Sequence, residues 1–356
     1  EGDINITATA GLEIRILGMN FSGDLVCSSG TATETNRCHL YFIDCEVTDP
    51  STTDISAEQI GLAFHVLFCY MPDVNINLKF GEVIASYIGN FRVSYTDNNN
   101  YNDSIKIIAN IINSNSTSSI TTSFPNYLTR SVFSSFDSFS HYYFISNNYF
   151  QSNSNTNSVS KLSIFASDTT GSGFNTISNN TIANNNNGYL NRPGGQCIAF
   201  FQNYSSSPLT SWNRRNTNVI NNIFHWYSYA SPYTYGIGLG ISGSTASTGV
   251  LLPTVKYNVF SWGYTSSQWV SSVHPLSPPG IYASWFLIDN LNYSAGSSDY
   301  DPSLSSFSTT SGKGLTGIAI DAGKNEASFY DLDMTRNDLG TYGGPYSMEN
   351  YWDSTA

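Results

Sequence analysis

The chain has 356 residues, 40% of them hydrophobic and 11% charged, with a formal net charge of −12. Its 14 Lys and Arg residues are scattered, Arg214-Arg215 apart, and leave no basic patch for phosphate, which excludes a nucleic-acid partner. No apolar run approaches the roughly 18 residues of a membrane-spanning helix, so no membrane insertion is expected.

Glu1 leads almost at once into INITATAGLEIRIL, as a processed mature chain would. The apolar runs that follow are short: LEIRIL at Leu12–Leu17, HLYFI at His39–Ile43, LAFHVLF at Leu62–Phe68, VNINLKF at Val74–Phe80 and HYYFI at His141–Ile145. They are rich in β-branched and aromatic residues, several have period two, and turn formers bound them, which predicts strands. Asn, Ser, Thr and Gly dominate elsewhere. These residues disfavour helix interiors, so a helical repeat is not expected.

From Ile107 onward one phrase recurs: IIANII at Ile107–Ile112, ISNNYF at Ile145–Phe150, ISNNTI at Ile177–Ile182, VINNIF at Val219–Phe224, VKYNVF at Val255–Phe260 and LIDNLNY at Leu287–Tyr293. Its last Asn before the apolar pair gives the series Asn110, Asn148, Asn180, Asn222, Asn258 and Asn290, spaced 32–42 residues apart. Looser matches carry the series upstream to Asn75, Asp44 and Asn20. Such a period marks a stacked repeat. Each Asn suits a sharp bend between two strands, because Asn tolerates the left-handed region and its amide can bond to the Asn of the next coil as a ladder.

The predicted fold is all-β, a single-stranded right-handed parallel β-helix (solenoid) of about eight to nine coils with long variable loops. It is expected to fill residues 1–345, with the first coils in 1–100, regular Asn-marked coils in 101–300 and a closing segment in 301–345, followed by a tail at 346–356. A propeller repeats at similar length, but hairpin dipeptides are scarce here, Asn187-Gly188 being the exception.

Cys27, Cys38, Cys45 and Cys69 cluster near the start, and Cys197 stands alone. In an exported protein the four are disulfide candidates, Cys27–Cys38 closing the SSGTATETNR loop and Cys45–Cys69 forming a second bridge. In a reducing compartment all five are small apolar core residues. Sequons at Asn5, Asn20, Asn102, Asn115, Asn179, Asn203 and Asn292 are candidates for N-glycosylation where the source makes that modification.

Near the end stand Ile318-Ala319-Ile320-Asp321-Ala322-Gly323 and the stretch Asp331-Leu332-Asp333-Met334-Thr335-Arg336-Asn337-Asp338-Leu339-Gly340-Thr341-Tyr342-Gly343-Gly344-Pro345. This pair resembles the closing segment of secreted bacterial right-handed parallel β-helix proteins, which typically end in AIDAG and then a D-x-D-G-x-x-R-x-D-x-G-A-Y-like stretch. Met334 stands where that family usually has Gly. The resemblance implies an exported protein, often delivered to the cell surface through a separate C-terminal sorting domain. It implies no one activity, because the family includes enzymes and adhesins.

Read physically, Asp331, Asp333, Thr335 and Asn337 place oxygens at alternate positions, the spacing of a calcium loop. The other reading is a capping turn in which Arg336 pairs with a carboxylate and Asp338 caps. No cofactor is required by the sequence; calcium is the one ion it suggests.

Between Ile105 and Tyr293 the only acidic residues are Asp137, Asp168 and Asp289, and no Asp-Asp pair occurs in the chain. The carboxylate sets of β-helix lyases and hydrolases are therefore not visible, no catalytic residue is assigned, and the chain leans away from being an enzyme. The best enzymatic constellation is Asp44, Glu46 and Asp73 with Lys79 or Arg92. His65, inside LAFHVLF, is expected to be a core or corner residue. Tyr227, Tyr233, Trp262, Trp269 and Trp285 lie in aromatic clusters that could stack on sugars or pack long loops onto the body.

The expected function is a non-catalytic, secreted, extracellular or cell-surface structural or adhesive protein. Its partners would be other copies of itself or surface proteins, stacked end to end into a fibre by the open backbone groups of an uncapped coil. The alternative is a polysaccharide lyase, a glycoside hydrolase or a carbohydrate-binding module.

Overall fold

The computed structural model describes residues 3–33, 35–47, 54–57, 61–78, 80–93, 104–113, 133–136, 142–152, 162–165, 174–184, 195–202, 216–226, 234–241, 254–262, 291–294 and 321–352. Nearly all regular structure in them is β, and every pairing between named strands is parallel, as in a β-solenoid. No helix among the described residues is long and apolar enough to cross a membrane.

A nine-stranded sheet stacks Glu13–Leu17, Cys38–Ile43, Leu62–Leu67, Phe80–Ile84, Ser104–Ile108, Tyr142–Ser146, Phe174–Ser178, Asn216–Ile220 and Thr254–Lys256 in chain order. After each of these strands the chain bends into a 14-stranded sheet. That sheet includes Ile4–Thr7, Glu46–Val47, Tyr70–Leu78, Tyr87–Val93, Ile111–Asn113, Tyr149–Ser152, Thr181–Asn184, Ile223–Trp226 and Val259–Trp262. A third sheet stacks Leu162–Phe165, Gly195–Gln202 and Thr234–Ile241.

Period-two patterning sets the faces. In Cys38–Ile43, Cys38, Leu40 and Phe42 point into the core while His39, Tyr41 and Ile43 face outward. Register then stacks like on like: Ile107 on Ile145, Ile145 on Ile177, Ile177 on Val219 and Val219 on Val255. The first four of these are fully buried, each such side chain contributing about 1.5–3 kcal/mol. The VNINLKF run is split between two strands, Val74–Leu78 in the 14-stranded sheet and Phe80 at the head of Phe80–Ile84. Gly81 permits this corner: its φ is +132°, and a Cβ there would lie 1.7 Å from the Phe64 carbonyl oxygen.

The bend divides between two residues the roles expected of one Asn. The first takes the left-handed conformation: Asp44, Phe68, Ala85, Ala109, Asn147, Asn179, Asn221 and Tyr257 have φ from 49° to 59°. The second points inward. In the later coils it is Asn110, Asn148, Asn180, Asn222 and Asn258, all fully buried. Asn148 Nδ2 donates to Asn180 Oδ1 (3.0 Å) and to the carbonyls of Ile107 (2.8 Å) and Ser146 (3.0 Å). Its Oδ1 accepts from Asn110 N (3.0 Å) and Asn110 Nδ2 (2.9 Å). The same amide contact runs on to Asn222 and Asn258 at 3.0 and 2.9 Å; Asn290 lies outside the described residues.

Upstream, the inward position holds Ser86, Cys69 and Cys45, which corrects the looser markers. Ser86 N donates to Asn110 Oδ1 (2.8 Å), and Cys69 N donates to Ser86 Oγ (3.0 Å). The thiols of Cys69 and Cys45 donate back to the carbonyls of Phe42 (3.4 Å) and Ile16 (3.5 Å), as the Asn amides do. Asp44 is instead the left-handed residue. Asn75 pairs with Asp54 and Asn90 away from the bend, and Asn20 pairs with Glu46. The position needs a small group that bonds the backbone of the preceding coil, and Ser86 does so as an acceptor while Cys45 and Cys69 do so as donors.

Candidate functional site

The closing segment lies along the side of the solenoid, as a strap over successive bends. Asn147 Nδ2 donates to the carbonyls of Thr341 (3.0 Å) and Gly343 (2.6 Å), and Asn179 Nδ2 to Asn337 Oδ1 (2.8 Å) and the Asp338 carbonyl (3.0 Å). Asn221 Oδ1 accepts from Lys324 N (2.8 Å), and its carbonyl accepts from Gly340 N (2.8 Å). Beyond residue 345 the strap continues: Met348 is fully buried, and Trp352 Nε1 donates to the Ala109 carbonyl (2.7 Å). Asn147 and Asn179 in the repeat phrases thus anchor the strap, a role the ladder reading passed over.

The side chains of the four calcium candidates are engaged in hydrogen bonds within the strap and to the coil beneath it. Asp331 Oδ2 accepts from Asp338 N (2.9 Å), and its Oδ1 accepts a short bond from Gly344 N. Burial pushes its carboxyl up to about 6, against the pull of those two donors. Asp333 Oδ1 accepts from Thr335 N (3.0 Å) and Thr335 Oγ1 (2.7 Å), and Asn337 is buried against Asn179 and the Phe329 carbonyl. Arg336 Nε donates to the Gly323 carbonyl (2.7 Å), while Asp338 Oδ1 accepts from Asp321 N (2.7 Å). Met334, exposed with φ +67°, occupies the backbone region that Gly adopts at no steric cost. Met334→Gly is therefore expected to raise stability by about 0.5–1 kcal/mol in denaturant unfolding.

Cys27, Cys38, Cys45 and Cys69 are buried thiols, none of them in a disulfide. Cys45 and Cys69 are neighbours in the inward row of the bend. Burial pushes the Cys27 and Cys69 thiols up to about 12, so neither is a thiolate at neutral pH. In the native protein both are expected to resist alkylation over hours, and to react at once in denaturant, as mass spectrometry would read. Cys197 lies in Gly195–Gln202, its side chain outside the described residues.

Among the described residues, a dense group of titratable side chains lies on the outer face of the nine-stranded sheet, in its early strands. His65 Nδ1 is 3.0 Å from Glu82 Oε1, and His65 Nε2 is 3.1 Å from His39 Nδ1. Tyr41 stacks on His65 with ring centroids 4.2 Å apart and planes 11° from parallel, and Arg15 lies 5.6 Å over Tyr41. Register explains the meeting. Arg15, Tyr41, His65, Glu82 and Lys106 form one row, while Ala63 beneath His39 leaves room for the diagonal contact.

An ionised Glu82 requires the proton of neutral His65 on Nδ1. His65 Nε2 then accepts from His39 Nδ1–H, and the lone pair of His39 lies on Nε2. The His65 bond holds Glu82 below the usual carboxylate range. Burial, then His65 and Arg37, hold His39 below its ordinary 6.5, opposed by Glu13. The unfolded chain therefore binds protons that the folded chain refuses, and stability falls as pH drops below 6.5. Thermal melts are expected to show that loss, and His39→Gln to flatten it.

The other expected sites are separate. His65 is on the outer face and half-buried, rather than in the core. Asp44 and Glu46 are exposed, with Glu46 Oε2 accepting from Asn20 Nδ2 (3.4 Å); the side chains of Asp73 and Arg92, and Lys79 entirely, lie outside the described residues. Tyr227, Tyr233, Trp269 and Trp285 lie outside them too, as does the side chain of Trp262. Among the sequons, Asn5 and Asn20 are exposed. Asn179 is buried with its amide engaged by the strap, so a glycan there would displace the strap. Asn102, Asn115 and Asn203, and the side chain of Asn292, lie outside the described residues.

Compared with protein-family models, with curated proteins and with solved structures, the chain matches none of them.

Proposed function

We propose that the protein is a non-catalytic structural or adhesive rod of the cell exterior, a right-handed β-helix of about eight or nine coils that assembles end to end. The observation that carries this reading is the parallel stack itself, coil upon coil with a continuous row of amide bonds at the bend. Among the described residues, Glu13–Leu17 pairs with Cys38–Ile43 alone and Ile4–Thr7 with Leu25–Ser28 alone. An edge of this kind, where no further strand covers it, pairs with an incoming strand. Ile4, Ile14 and Ile16 pack half-buried against the core beside these first strands, and a coil stacked there would deepen their burial. The exposed Glu13–Arg15 pair presents both charges to a neighbour. The likeness of the closing segment to exported β-helix proteins supports the location. In light scattering, self-association that grows with concentration and is lost in Ile14→Lys is expected; a monomer at every concentration would refute the reading.

The Glu82–His65–His39 chain favours a second reading, an enzyme that takes a proton at His39 Nε2. Release of unsaturated or reducing sugars from uronate polysaccharides, lost in His39→Gln, would establish it; no release from any such polymer would dismiss it.

A further inference from the structure

His39 and His65 form a pair whose spacing suits more than a hydrogen bond. They stand on the outer face of neighbouring strands, and His39 Nδ1 lies 3.1 Å from His65 Nε2. Two nitrogens held by one ion at about 2.0–2.1 Å stand about 2.9 Å apart at a right angle and about 3.4 Å apart at the tetrahedral angle. The pair already has a spacing between these values. Its rings lie 19° from parallel with centroids 5.4 Å apart, so the two nitrogens face each other across the gap. To converge on an ion each ring must tilt, and the broad χ2 well of histidine permits this at low cost.

The groups behind the pair are those that metal-binding imidazoles use. His65 Nδ1 donates to Glu82 Oε1 at 3.0 Å, which leaves the Nε2 lone pair directed at the gap. A neutral His39 reaches the matching form by moving its proton from Nδ1 to Nε2 through water, so an ion takes the place of one hydrogen bond. Tyr41 packs nearly parallel to His65 and His39, at 4.2 and 6.3 Å between centroids, and limits both rings to small movements. The neighbouring guanidinium groups are engaged on other rings: Arg15 lies 5.6 Å over Tyr41 and Arg37 lies 4.1 Å over Phe80. Among the described residues no third His, Cys, Asp or Glu joins the pair, so water completes the coordination sphere.

We propose that His39 Nδ1 and His65 Nε2 bind one transition-metal dication, with Glu82 as the positioning residue behind His65. Two imidazoles with water select ions that favour nitrogen, Cu²⁺ above Ni²⁺ and Zn²⁺, and pass over Ca²⁺ and Mg²⁺, which take oxygen. The site requires neither end-to-end assembly nor turnover. An ion bound there puts the His39 proton on Nε2, and so excludes proton uptake at that atom.

The test adds Cu²⁺ to the intact protein near neutral pH, in a buffer that does not bind metals, and reads electron paramagnetic resonance. One equivalent of Cu²⁺ is expected to show the nitrogen splitting of two imidazoles; a spectrum of one imidazole or of none overturns the proposal. That spectrum belongs to the parent protein and stands whatever a variant does to folding. Calorimetry with Zn²⁺ then assigns the residues. Affinity is expected to fall about tenfold or more in His39→Gln and in His65→Gln, and about tenfold in Glu82→Gln. Circular dichroism of the three should match the parent, because all three side chains lie on the outer face. Affinity unchanged in either histidine variant overturns the proposal, because the ion then sits on other donors; full affinity in Glu82→Gln overturns the role of Glu82. Excess Ca²⁺ should leave the Zn²⁺ in place, and displacement would put the ion on oxygen donors and overturn the site.

Discussion

Asn148→Ala is expected to be the most damaging single truncation in the bend, lowering stability by about 3–5 kcal/mol. Asn148 is fully buried, and its amide serves two neighbouring coils at once. Truncation leaves the Asn110 N–H groups, the Ile107 carbonyl and Asn180 Oδ1 without it, in a site from which water is shut out. Denaturant unfolding should show a lower midpoint with an unchanged slope. Ser86→Ala, at the shallower end of the same row, removes the acceptor for Cys69 N and the donor to Ile84 O, and should cost only about 1 kcal/mol. Equal losses from the two would show that the row does not work as a continuous ladder.

Gly343→Ala is expected to detach the strap. A Cβ at Gly343 would stand 1.9 Å from the Asp338 carbonyl oxygen and 2.9 Å from Asn179 Nδ2, and the first of these is backbone that cannot rotate aside. The Gly343 carbonyl, which accepts from Asn147, would have to move with it. The cost is about 2–4 kcal/mol, concentrated in residues 321–352. Hydrogen exchange should quicken at the Gly340 and Thr341 amides, which donate to the Asn221 carbonyl and Thr181 Oγ1. The core amides of Leu62–Leu67 should keep their protection. Uniform loss of protection across the chain would mean that the strap and the coils unfold as one unit.

The repeat phrase was legible because it carries the whole bend in six residues. Apolar side chains flank an inward Asn, and the spacing of those Asn residues follows the stacking of the coils. What it concealed was the division of labour inside the bend. Asn-Asn reads as one feature of the repeat, yet the first Asn holds the strap and the second builds the ladder. In the early coils the phrase disappears because Cys and Ser do the inward task with different side chains, and period alone could not find Cys45, Cys69 and Ser86. The closing segment was recognisable as a motif, but its lateral course over Asn221, Asn179 and Asn147 depends on partners more than 100 residues away. The His39–His65–Glu82 contact was hidden for a similar reason. Each residue sits alone in its strand, and only register, together with the small Ala63, brings them together.

Electron microscopy of the purified native protein, without added ligand, tests the proposed role most directly. Fibres with an axial repeat of one subunit length, missing from Ile14→Lys, are the expected result. Dispersed single rods at high concentration would contradict it.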